Sequence, residues 1–207
     1  MKNFSRTAAA IALATVFAST AALAQSNTQK PSFTGFGLGG NLSFVKNTLD
    51  VSSAAFDFAN NSTDAALTAN YGLAMGKDWV GTFGLSLGLM NSDYGKFVSG
   101  AVTSTGTAKQ HIAVSFAPGY RIGRDGLVYA KLALHQMAVN YTSSSGFDLT
   151  KTHQGTGFGI GYAHALSPSL EIGAEYEVVQ FDTQSTSATT TAQPKQGNLN
   201  LGIVYRF

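Results

Sequence analysis

From Phe36 onward, large apolar residues alternate with small or polar ones in segments that recur along the whole chain. Phe36, Leu38, Leu42 and Phe44 alternate with Gly37, Gly39, Asn41 and Ser43. Leu67, Tyr71, Leu73 and Met75 alternate with Thr68, Asn70, Gly72 and Ala74, ahead of a tight turn at Gly76-Lys77-Asp78. Trp79, Phe83, Leu85, Leu87 and Leu89 oppose Thr82, Gly84, Ser86 and Gly88. Ile112, Val114, Phe116, Pro118 and Tyr120 oppose His111, Ser115, Gly119 and Arg121, and the turn Gly123-Arg124-Asp125-Gly126 follows. Val128, Ala130, Leu132 and Leu134 oppose Tyr129, Lys131, Ala133 and His135; the pattern blurs at Gln136-Met137, where a β-bulge is expected. Phe158, Ile160 and Tyr162 oppose Gly157, Gly159, Gly161 and Ala163, before Ser167-Pro168-Ser169. Leu170, Ile172, Ala174, Tyr176 and Val178 oppose Glu171, Gly173, Glu175 and Glu177. The final run sets Leu201, Ile203, Tyr205 and Phe207 against Asn200, Gly202, Val204 and Arg206. A period of two is the signature of a β-strand with two different faces. One such strand fits any half-buried sheet; a series of them in consistent phase predicts an all-β chain of antiparallel neighbours.

The connections alternate in length. Turns at 76–78, 123–126 and 167–169 are short, whereas roughly 47–63, 92–107, 143–152 and 183–196 are rich in Ser, Thr, Asn and Ala and read as long loops. Short turns at one end, long loops at the other and an even strand count are the plan of an eight-stranded antiparallel up-and-down transmembrane β-barrel. Composition agrees. Charged residues make up 12% of the chain, against about 25% in an ordinary soluble domain. The aromatics Trp79, Tyr120, Tyr162, Tyr205 and Phe207 fall on the outward face near the short-turn ends, where an interfacial girdle is expected. Cysteine is absent, which excludes a disulfide framework and thiol chemistry.

At the other end of the chain, Lys2 and Arg6 precede an apolar run over 8–17 and the small-x-small tripeptide Ala22-Leu23-Ala24. This predicts a signal peptide over 1–24, cleaved before Gln25, then a short N-terminal extension over 25–32 and a barrel domain over 33–207. The run is shorter than the roughly 20 residues a helical span needs. Without Lys2 and Arg6 the chain is formally neutral, so the basic pI of about 8.8 belongs largely to the leader. No basic patch favours nucleic acid as a partner.

All three glutamates, Glu171, Glu175 and Glu177, lie on the inward face of one strand. Lys109, Arg121, Lys131 and Arg206 are expected to face the same interior. Eight strands enclose a bore only wide enough for side chains, so these charges are expected to pair and plug the lumen. No catalytic constellation stands out. His111, His135, His153 and His164 lack metal-ligand spacing, and Ser residues near His153 are too common in that region to mark a triad. The glycines of 155–161 sit inside a strand with no helix after them, so they do not form a phosphate loop. No metal or cofactor is implied.

The C-terminal residues Asn200, Gly202, Tyr205 and Phe207 resemble the assembly signal that ends Gram-negative outer-membrane barrels. The phrase Gly161-Tyr162-Ala163-His164-Ala165-Leu166-Ser167-Pro168-Ser169-Leu170-Glu171 is similar to the penultimate hairpin of small barrels of the OmpX and OmpA transmembrane-domain type. With the leader and the alternating strands, the chain therefore resembles that small outer-membrane β-barrel family. The resemblance implies an integral protein of the Gram-negative outer membrane, in contact with its lipid and lipopolysaccharide and delivered by the barrel assembly machinery. It carries over no catalytic residues, so a non-enzyme is expected. Three roles compete: a structural or surface-interaction barrel whose loops meet an extracellular ligand or surface, a narrow passive porin-like channel, and a lipid-modifying enzyme.

Overall fold

The computed structural model describes residues 32–52, 58–99, 101–186 and 190–207; the leader, the cleavage position and the extension up to residue 31 lie outside them. Ten strands follow in chain order: β1 (Gly35–Val51), β2 (Phe58–Ala74), β3 (Trp79–Gly88), β4 (Ser92–Ser99), β5 (Val102–Ile122), β6 (Gly126–Ser143), β7 (Asp148–Ser167), β8 (Leu170–Phe181), β9 (Gln184–Ser185) and β10 (Thr191–Arg206). The ring runs β1-β2-β3-β5-β6-β7-β8-β10, all antiparallel, and β10 returns to β1 from Gly37↔Arg206 to Val51↔Ala192. This is a closed eight-stranded barrel. Closure pairs the polar backbone groups that hydrocarbon could not satisfy.

Burial runs opposite to that of a soluble domain. Leu132, Leu134, Phe158 and Ile160 are 59%, 63%, 56% and 59% exposed, while Glu171 and Arg206 on the inner face are 4% and 7% exposed. On β10 the outward apolar row runs from Leu199 to Phe207, about the length a tilted strand needs to cross the hydrocarbon. Beyond Leu199 the outer face turns polar, with Lys195 bound to Asp50 of β1 at 2.5 Å.

Glycine is required where walls and turns leave no room. A Cβ on Gly39 would run into the Ile203 carbonyl of the closing strand, and Gly76 and Gly123 take φ of +120° and +66° in the short turns.

Three features depart from the sequence expectation. The segments read as long loops are largely strand: β1 continues to Val51, β2 starts at Phe58, and residues 143–152 need only a turn between β6 and β7. Their polar composition reflects strands that project past the lipid, where the outer face needs no apolar residues. The bulge lies in β5 at Gln110 (φ +50°), opposite the Gln136-Met137 region, and not in β6. β6 keeps its alternation through Leu134, His135, Gln136 and Met137; only the polarity inverts, because Gln136 has left the lipid and Met137 has entered an apolar plug. The same bulge turns Lys109 outward, where its ammonium donates to Asn140 Oδ1 at 3.4 Å. Lys109 therefore leaves the expected lumen network.

At the top of β3 the wall splits. Leu89 N–H still donates to the Ala65 carbonyl at 2.7 Å, and Met90 N–H reaches Asp64 Oδ1 at 3.2 Å. From there β4 pairs only with β5, and the outer half of β2 pairs only with β1. The gap is bridged by side chains: Asn47 Nδ2 and Asn60 Nδ2 both donate to the Asp93 carbonyl, at 3.1 and 3.2 Å.

Candidate functional site

The inward faces build a lumen in three layers. At the turn end, Phe33 packs with Val80, Leu127 and Ala165. Beside this cluster Arg206 Nε donates to Glu171 Oε1 at 2.7 Å, and the same oxygen accepts the Phe33 N–H at 3.0 Å. Arg206 also donates through Nη1 to the Gly35 carbonyl at 3.0 Å. The pairing follows from register: Glu171 opposes Val204, two residues from Arg206 on the same face, where β8 and β10 meet at their turn-end limits.

The middle layer is charged. Lys131 bridges Glu175 and Glu177, the second at 3.0 Å. His135 Nε2 donates to Glu177 Oε1 at 3.1 Å, and its Nδ1 meets His111 Nε2 at 2.8 Å. Asn200 Nδ2 completes the cluster with a 2.9 Å bond to Glu175 Oε1. The glycines opposite make room: a Cβ at Gly157 would lie 2.6 Å from His135 Nε2 and 2.7 Å from Glu177 Oε1.

The outer layer is apolar again, with Leu49, Tyr94, Ala108, Met137, Val139, Tyr141, Val179, Phe181 and Ala192 in one cluster. Tyr94 donates its hydroxyl to Met137 Sδ at 3.7 Å, and burial pushes the Tyr94 phenol well above its ordinary pKa, so it stays neutral. Beside the cluster, opposite Met137 in register, His153 is fully buried within β7 rather than in a loop. Its Nδ1 faces the Asp182 carbonyl at 3.1 Å and Asp182 Oδ1 at 3.2 Å, and its Nε2 meets the Tyr141 hydroxyl at 2.9 Å. A histidine with no exposed surface orients its neighbours and cannot reach a substrate.

The expected lumen residues thus separate. Glu171 with Arg206, and Glu175 and Glu177 with Lys131, form two paired groups. Lys109 is outside. Arg121 lies at the rim, donating to the Lys77 carbonyl at 3.0 Å and the Ser32 carbonyl at 3.1 Å; as the last arginine of β5 before the turn, it has passed beyond the reach of the glutamates. His111 and His135 join the network although their pairing was not read from the sequence. Alternation put both on the inner face; what it could not supply was their height relative to Glu177. Among the described residues no group of histidine and carboxylate ligands could hold a metal ion.

On the outside, Trp79 and Tyr120 pack edge to face at 5.4 Å beside the first short turn. Phe207 stacks on Phe36 at 5.9 Å and packs edge-on against Tyr205 at 5.1 Å, across the β1–β10 closure.

A family model for the outer membrane protein beta-barrel domain matches residues 10–207. The chain belongs to that family. It is an outer-membrane protein of the Gram-negative type, and the family plan puts the short turns on the periplasmic side. The barrel is similar to Ail, the attachment invasion locus protein of Yersinia pestis, solved in complex with the heparin analogue sucrose octasulfate. That match has a TM-score of 0.52 and 17% identity over 84% of this chain and 100% of that one. It is also similar to Neisserial surface protein A, with a TM-score of 0.53 and 15% identity over 84% of this chain and 98% of that one. At such identities the likeness is one of fold. No curated protein matches the sequence.

Proposed function

We propose that this barrel is a non-enzymatic surface-interaction protein that offers a sheet edge to an extended segment of an extracellular partner. The observation that carries the reading is the split wall outside the membrane, where β2 and β4 run side by side without backbone pairing and are joined by the Asn47 and Asn60 bonds to the Asp93 carbonyl, which an entering segment displaces. Unpaired strand edges in water are templates for another strand. Because the Ala65 carbonyl points to the β3 side, the backbone groups of Thr63 and Asn61, in alternation with it, point toward β4. The passive-channel reading is weakened by the two apolar layers that close the lumen. A polysulfated ligand such as the one bound to Ail is not favoured, since the outer lysines Lys46, Lys96, Lys109 and Lys195 are interleaved with Asp50, Asp93, Asp148 and Asp182.

Cells displaying the barrel should bind a subset of an array of extended, β-prone peptides. Asn61→Pro, which removes an edge N–H without touching a β1 pair, should abolish that binding while leaving the barrel folded. Equal binding by the variant, or no peptide bound by the parent, would reject the edge reading.

Asn200, Gly202, Tyr205 and Phe207 are read as the assembly signal, and Trp79, Tyr120, Tyr162, Tyr205 and Phe207 as the periplasmic girdle. Phe207 faces outward at the lipid interface and packs on Phe36 and Tyr205. Deleting it should cut the yield in the outer membrane several-fold while shifting the unfolding free energy of refolded protein by only about 2–3 kcal/mol. Normal yield of the deletion variant would remove the signal role.

A further inference from the structure

Between its two apolar layers the lumen holds a chamber of about 240 Å³. Asp64, Glu175 and Glu177 line it, and Lys131 is the fixed cation among them, because Arg206 is already bound to Glu171. The His111–His135 hydrogen bond needs one lone pair, so the two rings together carry no more than one positive charge while it holds. The chamber is therefore negative on balance. The amide oxygens of Asn41, Asn70 and Asn198 also lack any partner in the protein, and Asn198, which lines the chamber, is only 6% exposed. Buried acceptors left in this way are met by water or by a cation.

The two closures differ in kind. The extracellular one is built from side chains on five long wall strands and β4, and opening it requires repacking the wall. The periplasmic one depends on Phe33, which precedes β1 and belongs to no strand. Phe33 is 1% exposed and lines the chamber, yet it is held in the left-handed region at φ +70°, a strained conformation for a bulky residue. Its anchors are the Glu171 carboxylate on its N–H and the Arg121 guanidinium on the Ser32 carbonyl. Gly72 makes space for the Phe33 carbonyl, where a Cβ would collide with it. Phe33 can thus withdraw without breaking a single strand pair.

We propose that the chamber is a binding site for small organic cations, held by its net charge and amide oxygens without the coordinating ligand set a metal ion needs, that they enter from the periplasmic mouth, and that Phe33 is its stopper. The absence of native cysteine gives a clean test. Ser86→Cys places a sole thiol on the chamber wall. The variant is assembled in outer membranes, its folding is checked by heat-dependent gel migration, and it is reacted with cationic and anionic methanethiosulfonates of matched size. With Phe33 in place, labelling should be slow. Phe33→Gly keeps the backbone conformation and removes the ring; it should speed labelling about tenfold or more, with a preference for the cationic reagent about tenfold greater than the two reagents show on a free thiol in solution. Phe33→Leu, which keeps the bulk, should stay slow. If Phe33→Gly does not fold, Arg121→Gln releases Ser32 with the ring intact and should accelerate labelling in the same charge order. Fast labelling of the parent, no acceleration in the releasing variant, or a preference for the cation no greater than on a free thiol would each overturn the proposal.

Discussion

Glu171→Gln is expected to destabilise the folded barrel by about 3–5 kcal/mol, read as a shift of the denaturant midpoint in lipid vesicles. The carboxylate and the Arg206 guanidinium are each only 6% exposed at the side chain, 2.7 Å apart, and beside an apolar cluster. Gln still offers an oxygen to Arg206 Nε and to the Phe33 N–H, so the bonds can persist. What is lost is the charge that compensates a buried guanidinium. Arg206→Gln alone should cost a similar amount for the mirror reason. The double variant should cost well under the sum of the two, because each single change already leaves its partner uncompensated. Additive losses would show that the two charges are solvated independently.

Lys131→Met is expected to be at least as damaging, with a loss of about 4 kcal/mol. Lys131 stands between two carboxylates whose side chains are 11% and 4% exposed. Without it Glu175 keeps the neutral Asn200 amide, and Glu177 keeps His135, but two like charges then share one bore. Adding Glu175→Gln and Glu177→Gln to Lys131→Met should restore most of the lost stability, since a neutral hydrogen-bonded lumen has no ions to desolvate. If the triple variant is as unstable as Lys131→Met, packing of the lysine stem and not its charge is the source of the effect.

How far these contacts could be read in advance depends on position. Within the lipid belt the two faces of each strand meet hydrocarbon and a narrow interior, so alternation names the inward residues, Glu171, Glu175, Glu177, Lys131, His111 and His135 among them. Glu171 and Arg206 could be set together as well, because they end adjacent antiparallel strands in the same phase. Above the belt the outer face is wetted and the bore is plugged by Tyr94, Met137 and Phe181, so polarity inverts and the pattern loses its meaning. There projecting strands read as loops, and the single extra residue at Gln110 turned Lys109 from lumen to surface unseen.

By itself the sequence determined the all-β class, the number of wall strands, their faces in the lipid and the membrane that receives them, because hydrocarbon imposes a local, period-two rule on every strand that crosses it. Only the tertiary structure decided the rest: which charges share a height in the lumen, where the wall parts between β2 and β4, and that Phe33 turns back into the periplasmic mouth. Those outcomes follow from register, closure and the volume left inside the ring. They belong to all eight wall strands at once, and no single stretch of chain encodes them.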